Sequence, residues 1–303
     1  MLKQFSSIFE LFAAFPDEQS AIDHLRAIRW RKGAYCPHCG GTRIMHFKDN
    51  RTHKCSDCRQ RFSIKVGTIF EDTKLPLRKW FAAIWLITNH PKGIASTQLA
   101  TELGITQKSA WFVLHRLRYA ARTKSFARPL AGSVECDETL VGGREANKHK
   151  RKRNSRAKGA SSKTIVMGIL ERNGELRAKV VPDLKAKTLQ AEVRANVEPG
   201  ANVMTDQLNS YVGLRADYVH QSVNHWKEEF VRGDVHVNGI EGVWSLFKRQ
   251  YHGTHHWISP KHMDAYVGEL CYRWNRRELA PGERVNALLA QAEGRLTYKA
   301  LIA

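Results

Sequence analysis

The sequence predicts a multidomain α+β protein, and three observations carry the prediction. Two Cys-x-x-Cys pairs, Cys36/Cys39 and Cys55/Cys58, stand fifteen residues apart. Between residues 76 and 128, apolar side chains recur at helical spacing. Beyond Pro129 the pattern changes to three strand-like runs, a helix, a further strand and then helices, which is the order of a ribonuclease-H-like α/β core. Four segments follow: N-terminal helices and a small metal-held ribbon (1–75), a helix-turn-helix (76–128), the ribonuclease-H-like domain (129–280) and a C-terminal helix (281–303).

A chain of 303 residues can hold two or three domains, and a hydrophobic fraction of 42% is ordinary. A net charge of +20 with a pI near 9.9 is not ordinary. Self-repulsion on that scale points to a polyanionic partner, nucleic acid first and an anionic membrane surface second. No apolar run reaches 18 residues, which excludes a spanning helix. Glu10, Asp17 and Glu18 interrupt the apolar N-terminus, against a signal peptide. The reading is therefore cytosolic. Six cysteines in a reducing compartment are then metal ligands or buried thiols.

Residues 2–30 read as two short helices, with Phe5, Ile8, Phe9 and Phe12 on one face and Ile22, Leu25 and Ile28 on another. Asp17 is placed to cap the second. Each cysteine knuckle aims two thiolates at one point, so Cys36, Cys39, Cys55 and Cys58 complete a tetrahedral zinc site. One Zn²⁺ there is structural, because four protein ligands leave no position open for water. Thr42–Phe47 and Thr52–Lys54 flank a hairpin turn at Lys48–Arg51. Pro76 opens a helix carrying Phe81, Ile84, Trp85 and Thr88 on its buried face. Thr97–Leu117 then reads as two helices around Gly104, with Thr106 capping the second. If that helix enters the major groove, Gln107, Lys108 and Ser109 reach base edges. An αα-hairpin without a DNA role fits the same stretch. Arg116, Arg118, Arg122 and Lys124 either meet phosphates or are simply solvated.

The strand runs are Ser133–Glu138, Lys163–Glu171 and Leu176–Val181, with Asn173-Gly174 as a hairpin turn. Lys187–Ala195 reads as a helix and Ala201–Thr205 as a buried strand. Between the first two strands lies a basic run, Arg144–Ser162, holding Lys148, Lys150, Arg151, Lys152, Arg153, Arg156 and Lys158. Such a run cannot pack alone; it is either a solvated loop or a segment that orders on a DNA backbone. The stretch His236–Arg249 reads as a helix with Ile240, Val243 and Phe247 on its apolar stripe. Glu241, Trp244 and Lys248 share the adjoining face. Trp244, Lys248 and Arg249 are its candidate DNA contacts. Residues 259–279 form a further helix. Cys136 and Cys271 lack a cysteine partner at ligand spacing and read as buried thiols. Pro281-Gly282 separates a last helix, Val285–Leu296, free to pack on the core or on another protomer.

Asp137 is placed at or near the end of the first strand, Asp206 at the end of the later one and Glu241 on the helix. Three converging carboxylates repel one another. Two divalent cations roughly 4 Å apart would resolve the repulsion and serve an in-line phosphoryl displacement. Mg²⁺ suits an all-oxygen site that keeps waters, with Mn²⁺ as an alternative. By residue type alone, Glu135 and Glu138 compete with Asp137, and a chance trio among 29 acidic residues fits as well.

The run Glu135-Cys136-Asp137-Glu138-Thr139, then Gly142-Gly143, Thr205-Asp206 and His236-Val237-Asn238-Gly239-Ile240-Glu241-Gly242-Val243-Trp244, resembles DDE transposases of bacterial insertion sequences. The likeness is to the branch with an N-terminal zinc ribbon, the ISXO2-like transposases, and extends from the cysteine knuckles to about residue 280. It includes Phe62-Ser63 and Gly67-Thr68-Ile69-Phe70. One departure is Leu140, where relatives often carry an aromatic. The resemblance implies that Asp137, Asp206 and Glu241 are the metal-binding catalytic triad and that Lys248 contacts the element end. It implies hydrolysis at the element's terminal inverted repeats and attack of the freed 3′-hydroxyl on target DNA, with no covalent enzyme intermediate. Double-stranded DNA is then the partner, with a homo-oligomer assembled on it in a bacterial cytoplasm and no membrane association. Asn238 is a second candidate for the third ligand or a helix cap; His225 and His236 either touch phosphate or are structural. Two rivals stand beside this reading: a DNA-binding regulator with an inactive catalytic domain, and a structure-selective nuclease that cuts without joining.

Overall fold

The computed structural model describes residues 2–122, 128–143, 149–153, 163–224 and 229–303, with Lys152 described by its backbone alone. The chain divides into two compact units, Met1–Thr123 with Glu278–Ala303, and Lys124–Arg277.

In the first unit, α1 (Ile8–Ala14) is capped by Ser7 and α2 (Glu18–Arg29) by Asp17, whose side chain accepts from Ser20 N. The α1 stripe differs from the sequence expectation. Phe5, Leu11 and Phe15 are buried, whereas Phe9 is 83% and Phe12 44% exposed. The helix is only seven residues long, and one residue of error in phase turns such a short stripe outward. A three-stranded antiparallel ribbon follows, β1 (Ile44–His46), β2 (Thr52–Cys55) and β3 (Arg61–Ser63), in the order β1-β2-β3. Next comes α3 (Leu77–Asn89), whose first amide donates to the Glu18 carboxylate at 2.9 Å.

The helices α4 (Ser96–Leu103) and α5 (Gln107–Ala121) meet around Gly104, which terminates α4 at φ +58. Thr106 caps α5 by accepting from Ser109 N at 3.2 Å. Leu99, Leu103, Ala110, Val113, Leu114 and Leu117 are buried, as the periodicity requires. Arg116 and Arg118, expected to meet phosphates or to be solvated, are instead only 7% and 1% exposed, and Lys124 lies outside the described residues. Arg116 donates to the carbonyls of Ile69 and Glu71, both at 2.9 Å, so it ties the ribbon's exit to α5. The chain's end returns to this unit. Its first helix, α9 (Pro281–Ala290), starts at Pro281 rather than beyond it, since proline suits the first helical turn. It packs on α3 and α2, with His24 Nε2 and Asn286 Oδ1 in a buried hydrogen bond of 2.8 Å. Gly282 is required there, because a Cβ would collide with the Phe5 carbonyl. The expected helix to Leu296 stops at Ala290, and a short α10 (Tyr298–Ile302) follows.

The second unit is built on a five-stranded sheet in the order β6-β5-β4-β7-β8. β4 (Ser133–Val141), β5 (Thr164–Glu171) and β6 (Leu176–Val181) are antiparallel neighbours, while β7 (Asn202–Asp206) and β8 (Val219–Val223) run parallel to β4. This is the ribonuclease-H-like arrangement. The Asn173 turn joining β5 to β6 has φ +58, as the Asn-Gly pair predicts. One face of the sheet is covered by α6 (Ala186–Asn196) and a 3₁₀ segment, Asn209–Ala216; the other is covered by α7 (Asn238–Arg249) and α8 (Met263–Trp274). Cys136 and Cys271 are buried, as expected. Of the basic run, Lys150–Lys152 form a 3₁₀ turn in which Lys150 and Arg151 are exposed, as is Arg153 beyond it. Its remainder, with Lys148, Arg156 and Lys158, lies outside the described residues.

Candidate active site and metal centre

Period-two alternation along β4 sends Glu135 and Asp137 to the α7 face and Cys136 and Glu138 to the α6 face. β4 is longer than expected, so Asp137 sits within the strand rather than at its end. Parallel pairing with β7 sets Cys136 against Thr205 and brings Asp206 alongside Asp137. There β7 ends while β4 continues to Val141. Oxygens of Asp137, Glu138 and Asp206 all lie within 4.8 Å of one another. By residue type Glu138 only competes with Asp137; in the structure it stands beside it. Alternation alone gives no hint of this, because it assigns the two to opposite faces.

Burial and mutual repulsion dominate the electrostatics. Desolvation, then the Asp206 charge and, less strongly, the Glu241 charge push Asp137 up to about 7. Glu138 is pushed up to about 8, chiefly by desolvation and with help from Asp137 and Asp206. Tyr211 opposes that rise by donating its hydroxyl to Glu138 Oε1. A divalent cation is the natural neutraliser of such a cluster, and the all-carboxylate donor set fits a hard oxygen-seeking ion.

Glu241 rises from α7 into the cleft that Asp137 and Glu138 also line, together with Ser245, Lys248, Arg249 and His252. It is outside the tight three-carboxylate cluster. Lys248 and Arg249, the last two residues of α7, are exposed. Trp244, the candidate DNA contact on the face adjoining the apolar stripe, lines the same cleft but is only 3% exposed. Its ring lies over Gly168, where a Cβ would come 2.5 Å from Trp244 Cζ2. Only the absent side chain opposite Asp137 makes room for it. The buried indole N–H makes no hydrogen bond of good geometry, though it lies near enough to Asp137 to favour the charged carboxylate slightly.

Glu135 serves α7 instead. Its Oε2 accepts from Ile240 N at 2.9 Å, and its Oε1 accepts from Arg172 Nε at 2.8 Å with His236 Nδ1 at 3.4 Å. A buried carboxylate thus meets the positive end of the helix that carries Glu241. The cap position considered for Asn238 falls to Val237, and Asn238 is the first helical residue. His236 faces Glu135 rather than the carboxylate cluster, and His225 lies outside the described residues.

In the ribbon, the sulfurs of Cys36, Cys39, Cys55 and Cys58 lie within 4.8 Å of one another. Cys36–Cys58 and Cys39–Cys55 are each 3.6 Å apart. A tetrahedron with Zn–S of about 2.3 Å has edges of about 3.8 Å, so the four sulfurs fit a structural zinc. Gln107, Lys108 and Ser109 are exposed at the start of α5; Gln107 Nε2 donates to Ser96 Oγ at 2.8 Å, and Lys108 Nζ lies over the Tyr298 ring at 5.2 Å.

Residues 129–275 match the ISXO2-like transposase domain, and residues 16–61 match the transposase zinc-ribbon domain. An uncharacterized protein in transposable element ISH50 of Halobacterium salinarum is 32% identical over 264 residues, covering 81% of this chain and 85% of that relative. The chain belongs to the ISXO2-like transposase family. As an ISXO2-like transposase it is a DDE-type DNA transposase, with the zinc ribbon preceding a ribonuclease-H-like core. Among solved structures, the simian T-cell lymphotropic virus intasome is similar with a TM-score of 0.29 and 12% identity, over 61% of this chain and 65% of that chain. The Mos1 strand transfer complex is similar with a TM-score of 0.27 and 12% identity, over 70% of this chain and 78% of that one. Both likenesses are too distant to add to what the family match of this ISXO2-like transposase carries. No described helix is long and apolar enough to cross a membrane.

Proposed function

We propose that this transposase binds the terminal inverted repeats of an insertion sequence, hydrolyses the phosphodiester at each element end and joins the freed 3′-hydroxyl to target DNA. The observation that carries this reading is the meeting of Asp137 and Asp206 in a cleft that also holds Glu241, Lys248 and Arg249. Asp137 and Asp206 hold divalent metal in this proposal, with Glu241 or Glu138 as the third carboxylate. Divalent cations bound there, Mg²⁺ or Mn²⁺, would stabilise the attacking and leaving oxygens of the displacement. Lys248 and Arg249 hold the DNA phosphates beside them. Gln107, Lys108 and Ser109 read base edges as part of a helix-turn-helix spanning residues 76–128, and Lys150, Arg151, Lys152 and Arg153 follow the backbone. The protein acts in the cytoplasm on nucleoid DNA, as a homo-oligomer that pairs two ends.

Purified protein and labelled element-end duplex with Mg²⁺ test the reading. Joined products that disappear in Asp137→Asn are expected. Cleavage without joining would favour a nuclease, and binding without cleavage under any divalent metal would favour a regulator. Comparing Glu138→Gln with Glu241→Gln then separates the two third-carboxylate assignments, since only the ligand's loss should abolish cleavage.

A further inference from the structure

A second cavity, of about 570 Å³, adjoins the carboxylate cleft and shares Lys248 and His252 with it. Its walls include Gly142, Gly143, Lys163, His256 and Trp257. Trp257 is 65% exposed, and a large flat apolar face left in water is disfavoured unless something covers it. The chain is bent to put it there. After α7 the backbone widens into a π-helix, Gln250–His255, and His256 follows at φ +59. Both are uncommon conformations that concentrate at functional sites.

A buried polar group holds this bend. Gln250 is fully buried; Arg273 Nη2 donates to its Oε1 at 2.7 Å, and its Nε2 donates to His255 Nε2 at 3.2 Å. Arg273 is paired with Glu269, and the His255 ring packs on Tyr266 with centroids 4.8 Å apart. Across the cavity, a Cβ at Gly143 would meet no described residue within 4 Å, so among the described residues the backbone there is open to close approach. Lys163 stands beside Gly142, and no carboxylate is among the described residues lining the cavity.

A planar face, two ammonium groups and an open backbone are the complement of a nucleotide: base, phosphate and sugar. Within a duplex both faces of a base are already stacked, so the base that reaches Trp257 must be unpaired. Because Lys248 and His252 line both cavities, that nucleotide must be next to the phosphate held at the carboxylates. We infer that this cavity is a nucleotide subsite in which Trp257 stacks on one unpaired base at the DNA end, while Lys163 and His256 hold its phosphate. The inference rests on the transposase reading above. Stacking on Trp257 offsets the unpairing of that end and holds the strand for cutting.

The test uses the full-length protein and duplexes of the inverted repeat that flanks this reading frame, with single terminal bases replaced in turn by 5-iodouracil. On irradiation, one terminal position should crosslink to Trp257, identified by peptide mapping, while internal positions should not. Trp257→Ala should slow joining about tenfold, from the usual worth of one base–aromatic stack. Trp257→Phe should keep the rate within about threefold, since phenylalanine retains a stacking face. Crosslinks mapping only elsewhere, or Trp257→Ala joining at the wild-type rate, would overturn the subsite and leave the transposase reading intact. Wild-type protein that neither cuts nor joins these duplexes would overturn both.

Discussion

The ribbon and the carboxylate cleft both gather metal ligands from distant positions, yet they are supported in opposite ways. The ribbon's own apolar cluster has three buried members, Cys36, Cys55 and Phe62, and two of them are ligands. Its strands are three to four residues long. The thiolates are thus most of the core, and the metal stands in for hydrophobic burial. The cleft's carboxylates instead sit on a sheet whose two faces are each packed by a large apolar cluster. There the packed sheet brings like charges together. One site draws most of its core from its own ligands, whereas the other is set on a sheet packed on both faces.

The comparison predicts its largest effect at the ribbon. A strong chelator removes on the order of 10–16 kcal/mol of metal-linked folding energy, and Cys55→Ser removes part of it. Ribbon amides should lose hydrogen-exchange protection while those of β4 and β5 keep theirs; equal loss in both would break the contrast. Asp137→Asn should show the converse. Transfer activity should fall on the order of 10³-fold, equivalent to about 4 kcal/mol, while the melting temperature of the metal-free protein holds or rises as repulsion is relieved. A clear drop in melting temperature would mean the carboxylate supports the fold. Gly168→Ala pushes a Cβ into Trp244 and should destabilise by about 1–3 kcal/mol, read as a lower denaturation midpoint with zinc content unchanged.

The two sites should also respond to pH with opposite sign. Asp137 and Glu138 are raised to about 7 and about 8 in the folded state, from ordinary values near 3.8 and 4.5. Between those limits the native protein binds more protons than the unfolded chain. Their contribution is therefore fully present below the unfolded values and is lost as pH rises through about 7 to 8. Thermal melts without divalent metal should show the decline, and Mg²⁺ should flatten it. The ribbon should weaken instead as pH falls, because its ligands must be thiolates. The smallest effect is expected at Lys248. Lys248→Ala should lower the salt dependence of DNA binding by about one unit of slope, measured by titration at several ionic strengths.

Much of this contrast was legible in the sequence because covalent spacing or periodicity fixes it. The cysteine pairs, the Asp17, Gly104 and Thr106 helix boundaries and the Asn173 turn are local, and each stands where the residue types require. The meeting of Asp137 with Asp206 was legible from strand order. What stayed hidden depends on partners distant in the chain. Edge strand β8 carries the weakly apolar run Val-His-Gln-Ser-Val, and only its pairing to β7 makes it a strand. Glu138 joins the cluster because β7 stops short beside it. Trp244 turns inward because Gly168, on another strand, leaves it space. Arg116 and Arg118 look like surface cations by type, and only the packing of α5 buries them.

The return of Glu278–Ala303 to the N-terminal unit has a consequence for biosynthesis. The ribbon and α1–α5 leave the ribosome before the sheet unit, but α9, which covers α3, follows it. The sheet unit lies wholly between them and can fold as a continuous stretch while translation proceeds. The first-made portion must therefore wait for α9 before its core closes, and a chain broken off before α9 would carry an intact sheet and an uncovered α3.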